Sequence, residues 1–462
     1  MFSSRKSELL LANIREGRPL SNVEKLNLIV ELSIPSILAQ ITTVLMFFID
    51  ASMVGHLGTD ASAAIGLVET TSWLLGSMTV AASMGFSVQV AHFIGANDFV
   101  KARQVFRHGL ICTIAFSLFI ALIGLCIYQP LPFWLGGTAD IAHDASLYFL
   151  VVALTMPFLQ LFSLAGAMLK SSGNMRIPSI ISVGMCVLDV VFNYFFIYIC
   201  RLGVLGAAFG TASAFIVGSM LEAYFAIFRN KILALRQDKE PFEWMSAYVK
   251  NALKIGAPMA VQSVLMSGAQ IVSTMIVAPL GKVSIAANTF AITAESLCYM
   301  PGYGIGEAAT TLVGQSSGAG RFDICKSFAH ITVYLGMAVM ALMGILMFIF
   351  APEMIGVLTP VEDIRVLGIQ SLRIEAFAEP FFAAAIVAYS VCVGAGDTLK
   401  SALMNLGSIW CVRLTLAALL APQYGLKGVW IAMAIELTFR GCIFLYRLFS
   451  GKWLAKLQRA TQ

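Results

Sequence analysis

The sequence predicts an all-α membrane protein, with twelve transmembrane helices in two six-helix lobes related by a parallel internal repeat. Three observations carry that prediction. Charge-poor apolar stretches of bilayer length recur along nearly all of the 462 residues. Basic residues gather on every second loop. The chain also matches itself when shifted by 223 residues.

Hydrophobic residues make up 59% of the chain and charged residues only 12%, about half the charged share of an ordinary soluble protein. No single soluble core could hide that much apolar surface, whereas a hydrocarbon solvent lets apolar side chains face outward. The formal net charge of +5 says little by itself. No Lys/Arg-rich patch with interleaved aromatics suggests nucleic acid. The nine cysteines lie in or beside apolar segments without a CxxC pair and read as small apolar residues, not metal ligands or disulfides. The first 27 residues are polar and mixed in charge, lacking the order of a cleaved signal peptide. A surface helix is expected within residues 9–27.

A helix of about 20 apolar residues crosses a bilayer, and backbone groups in lipid must be satisfied within the segment. The twelve spans are expected at 28–56, 66–95, 106–128, 143–169, 178–200, 205–228, 253–280, 284–315, 327–351, 366–393, 401–421 and 427–449. This gives an N-terminal segment (1–27), an N-terminal lobe (28–228), a linker (229–252), a C-terminal lobe (253–449) and a tail (450–462). With the N-terminus in the cytoplasm, 23 of the 30 basic residues fall inside. Only Arg201, Lys282, Arg365 and Lys427 fall outside, while Arg373, Arg413 and Arg440 lie within spans. That asymmetry predicts an inner-membrane protein with both termini cytoplasmic.

The repeat aligns residues that fix backbone shape. Pro35 falls on Pro258, Leu57-Gly58 on Leu280-Gly281, Gly95-Ala96 on Gly318-Ala319, Pro157-Phe158 on Pro380-Phe381, and Gly173 on Gly396. A shift of 222 then places Gly203 and Gly206 on Gly425 and Gly428. Proline and glycine constrain the chain more than other residues. Six spans per half give both halves one orientation, and parallel repeats of this kind are a transporter device. As helix breakers, Pro35 and Pro258 in spans 1 and 7 are candidate hinges, and Pro157 and Pro380 occupy equivalent breaker positions in spans 4 and 10. The run Met300-Pro301-Gly302 should kink span 8, making Pro301 a third candidate hinge.

A carboxylate in the bilayer core costs at least about 2.5 kcal/mol on insertion scales, so each one is a functional candidate. Asp50 lies about six residues from the outer end of span 1, roughly 9 Å at 1.5 Å per residue. Asn193 in span 5 and Thr211 in span 6 reach a similar depth, with Asp189 one turn deeper. Asp189 and Asn193 share a helix face. No basic residue lies at this depth in these spans, so two acids without a cation suit an incoming proton or sodium ion. Oxygen ligands from Asn193 and Thr211 fit a hard cation. In the second half Glu295, Glu375, Glu379 and Glu436 fall within spans, with Arg373, Arg413 and Arg440. Glu436 and Arg440, four apart, read as a structural pair. Glu295, Glu379, Arg413 and Glu436 all approach the midplane, and the first three are candidates for substrate or second-ion contact. Glu307 and Glu222 read as solvated near span ends, and Glu69 and His56 as solvated near the outer surface. The 22 Met and 32 Phe permit a soft polyspecific cavity.

Five stretches resemble a known family: IDASMVGHLG (49–58), QVAHFIGAND (89–98), LGVLGAAFGTA (202–212), LVGQSSGAG (312–320) and GAGDTLKSALMN (394–405). Their order and spacing identify the chain as similar to the multidrug and toxic compound extrusion (MATE) family. The resemblance implies an efflux antiporter that expels lipophilic, often cationic compounds against protons or sodium ions. It also implies a V-shaped pair of lobes around a central cavity. One branch of the family carries an acid matching Asp50, a Thr matching Thr211, and an Asn then an Asp four apart in span 5; here Asp189 precedes Asn193. An acid found in span 7 of some members is replaced by Met266.

The expected partners are therefore small organic substrates and the lipid bilayer, with no nucleic acid. The coupling ion is H+ or Na+, with no other cofactor or metal, and the expected state is a monomer. No GxxxxGK[ST] loop exists to bind ATP, which argues against a primary pump. Flipping of lipid-linked precursors, a function in the same superfamily, would favour a cationic cavity, whereas these spans hold more acids than bases. A membrane-embedded enzyme would need a nucleophile with its base or a His/Asp metal cluster at depth. All five histidines instead lie near loops or span ends, and HExxH is absent.

Overall fold

The computed structural model describes residues 5–460, which form helices and connecting turns without strands. Residues 1–4 and 461–462, at the ends of the expected N-terminal segment and tail, lie outside the described residues. All twelve expected spans are helices. They run over Asn22–Gly55, Thr59–Gly95, Phe99–Ile127, Ala139–Ser171, Arg176–Ile199, Val204–Arg229, Ser246–Leu280, Lys282–Gly318, Phe322–Leu358, the pair Glu362–Ala376 and Glu379–Gly394, Thr398–Tyr424 and Leu426–Ser450. Ten of these helices are long and apolar enough to cross a membrane, and the bent pair makes an eleventh. Span 8 (Lys282–Gly318) is as long as any but carries Glu295 and Glu307 among many small and polar residues.

Local chemistry sets the helix ends. The surface helix covers Arg5–Arg15, earlier than expected, because Gly17 turns left-handed at φ 79°. Span 1 begins at Asn22, six residues before its expected start, through a capping box. Ser21 N–H donates to Glu24 Oε2 at 2.8 Å, and Glu24 N–H donates to Ser21 Oγ at 3.2 Å. The repeat reappears in backbone angles. Gly58 and Gly281 have φ of 115° and 103°, Gly173 and Gly396 have 87° and 78°, and Gly203 and Gly425 have 61° and 64°. An L side chain at these positions would strain the turn, which is why glycine recurs there.

The chain divides into two compact units, and their boundaries cut through helices. Unit 1 holds residues 1–11 and 42–260; unit 2 holds 12–41 and 261–462. The first part of span 1 therefore packs with the C-terminal spans, and the first part of span 7 with the N-terminal spans. Small residues permit both packings. In unit 1, a Cβ on Gly256 would lie 2.7 Å from the Ala81 carbonyl oxygen. In unit 2, a Cβ on Gly304, the repeat mate of Ala81, would lie 2.7 Å from the Ile37 nitrogen. Close backbone approach of this kind is how helices associate in lipid, where no hydrophobic force drives them together.

Unit 1 centres on Phe86, Val90, Phe106, Leu164 and Met168. Its connection to span 7 is strapped onto span 3. Arg103 donates to Ile232 O at 3.0 Å, Gln104 to Asp238 at 3.3 Å, and the Met245 N–H to His108 Nε2 at 2.8 Å. His108 is fully buried, not merely close to a span end. Two large cores of unit 2 lie around Val313, Val333, Val387 and Phe444 and around Ala291, Met347, Leu372 and Trp430.

Spans 1, 7 and 8 run unbroken through Pro35, Pro258 and Pro301. Span 10 breaks at the expected breaker Pro380, and its two segments meet at 60°. Pro380 explains the position of the break. Lacking an N–H, it fits the first turn of a new helix and restricts the residue before it, Glu379. The repeat mate Pro157 lies inside an unbroken helix.

Candidate functional site

Spans 1, 5 and 6 bring the four N-terminal candidates together within unit 1. Asn193 sits between the two acids: its Nδ2 donates to Asp50 Oδ1 at 2.9 Å and to Asp189 Oδ2 at 3.2 Å. The Asp50 carboxyl and the Thr211 hydroxyl stand beside Asp189. Asp189 and Asn193 are buried at 0% and 2% exposure, while Asp50 and Thr211 are half-buried. Span 6 can come this close because Gly210 has no side chain to collide with Asn193. Immediately after Asn193, residues Phe195–Ile199 form a π-helical turn, a distortion frequent at functional sites. Tyr198 at that turn donates to Met53 O at 3.0 Å, tying span 5 to span 1.

Two features give this cluster its chemistry. Among the described residues, neither Asp50 nor Asp189 forms an ion pair. Asp189 Oδ1 and Asn193 Oδ1 are also buried without a hydrogen-bond partner. Orphaned buried acceptors are expensive, and a proton or hard cation supplies what they lack. The donor set of carboxylate, amide and hydroxyl oxygens fits such an ion.

Unit 2 handles its charges differently. Glu436 is the hub of a hydrogen-bonded ion network. Arg440 Nε donates to its Oε1 at 2.7 Å and Arg440 Nη2 to its Oε2 at 2.9 Å. Arg413 reaches Oε2 from Nη2 at 2.7 Å and from Nε at 2.9 Å, and the Ser408 hydroxyl donates to Oε1 at 2.6 Å. The Glu436–Arg440 pair is the one expected from their spacing, and Arg413 joins it from span 11. A π-helical segment, Ser408–Arg413, delivers both Ser408 and Arg413 to the hub.

Glu295 and Glu379 meet a third acid, Glu375, and one oxygen from each lies within 4.8 Å of the others. Glu375 and Glu379 are fully buried, and none of their four oxygens has a hydrogen-bond partner. Sequence reasoning placed Glu375 in span 10 without nominating it. The available signal was its spacing of four from Glu379. Glu295 also lines a cavity of about 200 Å³ in unit 2 with Arg413, Arg440 and Met266. Glu379 does not line it.

Other expectations divide. Glu69 and His56 are exposed. Glu222 is not solvated as expected but 1% exposed, because Gly166 leaves room for its carboxylate. Glu307 is half-buried and accepts a hydrogen bond from Gln40 at 3.2 Å.

The MatE family model matches residues 35–195 and again 258–419, two stretches that begin 223 residues apart. The chain belongs to the MatE family. The matches contain Asp50, Asp189, Asn193, Pro35 and Pro258, and their offset is that of the internal repeat. This MatE-family chain is a multi-pass membrane transporter with twelve helices. It is 26% identical over 431 residues to a probable multidrug resistance protein NorM of Thermotoga maritima, covering 92% of each chain. It is 24% identical over 414 residues to an uncharacterized transporter YisQ of Bacillus subtilis, covering 88% of this chain and 90% of that one. Its fold is that of a multidrug resistance MATE family transporter solved in an outward-facing conformation, with a TM-score of 0.89, 21% identity and 99% of each chain covered.

Proposed function

We propose that this chain is a secondary antiporter of the cytoplasmic (inner) membrane. It exports lipophilic, cationic organic compounds in exchange for protons or sodium ions, by alternating access of its two lobes. Both termini face the cytoplasm, and the transporter works as a monomer. The observation that carries the reading is the buried Asp50–Asn193–Asp189 cluster, which has two acids, two orphaned oxygens and no ion pair. The coupling ion binds Asp50 and Asp189 with Asn193 and Thr211 as further oxygen donors. Pro35 and Pro258, each within six residues of the point where its helix passes from one unit to the other, are the hinges. The names of the relatives support drug export as the substrate class.

The test is gradient-driven efflux of a fluorescent lipophilic cation from vesicles, with proton and sodium gradients imposed separately. Wild type should respond to one gradient, which names the ion. Asp50→Asn and Asp189→Asn should each lose transport while inserting normally. If both variants transport like wild type, the coupling site is wrong. If wild type moves no cation under either gradient, drug export fails and flipping of lipid-linked precursors becomes the reading to pursue.

A further inference from the structure

The unit 2 cavity is walled by charges of both signs. On one side is Glu295, buried at 5% exposure and adjoining the unpartnered carboxylates of Glu375 and Glu379. On the other are Arg413 and Arg440. A guanidinium has five N–H groups in a fixed fork. The bonds to Glu436 come from the Nε and Nη2 of each arginine, so neither Nη1 is used in them. Between these poles the wall is aromatic. Tyr299 packs edge-on against Phe382, with ring centres 5.4 Å apart, and both line the space with Tyr303.

This wall does not suit a simple lipophilic cation. A single positive charge would satisfy Glu295 and leave Arg413 and Arg440, which share the single carboxylate of Glu436, with one unbalanced positive charge facing an apolar molecule, a costly arrangement for desolvated charge. A single negative charge would leave Glu295 in the same position. Only a molecule carrying both charges meets both poles. The volume of about 200 Å³ is below the roughly 300–1,000 Å³ of drug-sized sites, so the molecule is small or only its charged end enters. We propose that this cavity binds small zwitterionic organic molecules, their cationic nitrogen on Glu295 and their anionic group on Arg413 and Arg440, with the aromatic faces taking the organic body. The assignment rests on the export reading only for its purpose. Binding itself needs no gradient and can be measured without transport.

The experiment is equilibrium binding to the full chain in nanodiscs, with no ion gradient, using three matched probes: zwitterionic 4-(aminomethyl)benzoic acid, cationic benzylamine and anionic benzoate. The zwitterion should bind about tenfold or more tightly than either single-charge probe, the ratio of one good charged contact. Arg413→Gln should bring the zwitterion down to the affinity of benzylamine, and Glu295→Gln down to that of benzoate. Ser273→Leu, which narrows the cavity without touching the ion network, should abolish binding of the zwitterion while the chain stays folded. That variant keeps the test decisive if Arg413→Gln unfolds the hub. Equal binding of benzylamine and the zwitterion to wild type would overturn the proposal, as would zwitterion binding unchanged in Ser273→Leu. Failure here with intact gradient-driven efflux rejects only the cavity assignment, whereas failed efflux with intact binding rejects the antiport reading.

Discussion

The two halves share a backbone plan and solve the problem of buried charge in different ways. In unit 1 two aspartates meet across an asparagine with no counterion among the described residues. In unit 2 one glutamate holds two arginines, and three more glutamates gather beside it. The repeat does not relate these charges. Asp50 falls on Ser273, Glu295 on Ser72, Glu375 on Val152 and Glu379 on Met156. The paired positions are instead Pro35 and Pro258, Gly58 and Gly281, and Gly173 and Gly396. Duplication thus preserved what shapes the helices, while each half acquired its own electrostatics. The lesson is that a compensated cluster and an uncompensated one can occupy equivalent scaffolds, and they should answer mutation differently.

The largest effect expected is on the hub. Glu436→Gln removes the carboxylate that both Arg413 and Arg440 bind, leaving a buried and a half-buried guanidinium unpaired. Breaking a buried pair in this way costs about 3–5 kcal/mol, so the variant should lose most of its thermal stability in detergent. If its melting temperature matches wild type, the hub is not what holds spans 11 and 12 together. Arg413→Gln should cost less, about 1.5–3 kcal/mol for hydrogen bonds to a charged group, because Arg440 still binds Glu436 through two nitrogens.

The uncompensated sites should behave in the opposite sense. Asp189→Asn removes a charge that nothing balances, so stability should be unchanged or higher while efflux collapses. A variant that both unfolds and stops transporting would mean the aspartate is structural. In Glu375→Gln/Glu379→Gln two more unpartnered acids become neutral, and a gain of about 1 kcal/mol is expected from relieving buried unsatisfied groups, read as a rise in melting temperature. A fall instead would mean that these carboxylates hold a partner essential to the fold. The smallest effect is expected at the hinges. Pro35→Ala and Pro258→Ala each restore a backbone donor within a continuous helix, so stability should barely change while turnover slows. Because the repeat makes the positions equivalent, the two variants should slow transport alike, and unequal effects would show that one helix bends more than the other.

Much of the fold was legible in the sequence because membrane insertion is dictated locally. Hydropathy marks each span without reference to its neighbours, and prolines and glycines carry the repeat. The N-terminal cluster was legible for a related reason. Asp50, Asn193 and Thr211 could be counted to similar depths, and Asp189 lies one turn from Asn193. The C-terminal site was less so. Depth counting put Arg413 level with Glu295, Glu379 and Glu436 alike, but only rotation about the helix axis decides which of them it binds, and the π-helical segment Ser408–Arg413 sets that rotation. Glu222 was misplaced because depth along a helix does not reveal a facing glycine.

By itself, the sequence determined the number of helices, the duplication and the presence of acids that lipid would not tolerate without a purpose. These follow from composition and spacing, which act residue by residue. Only the tertiary structure decided which charges meet. It passed the first parts of spans 1 and 7 to opposite units and broke span 10 between Glu375 and Glu379. It also assigned Arg413 to Glu436. Those outcomes depend on close packing and helix rotation, set by contacts between residues far apart in the chain.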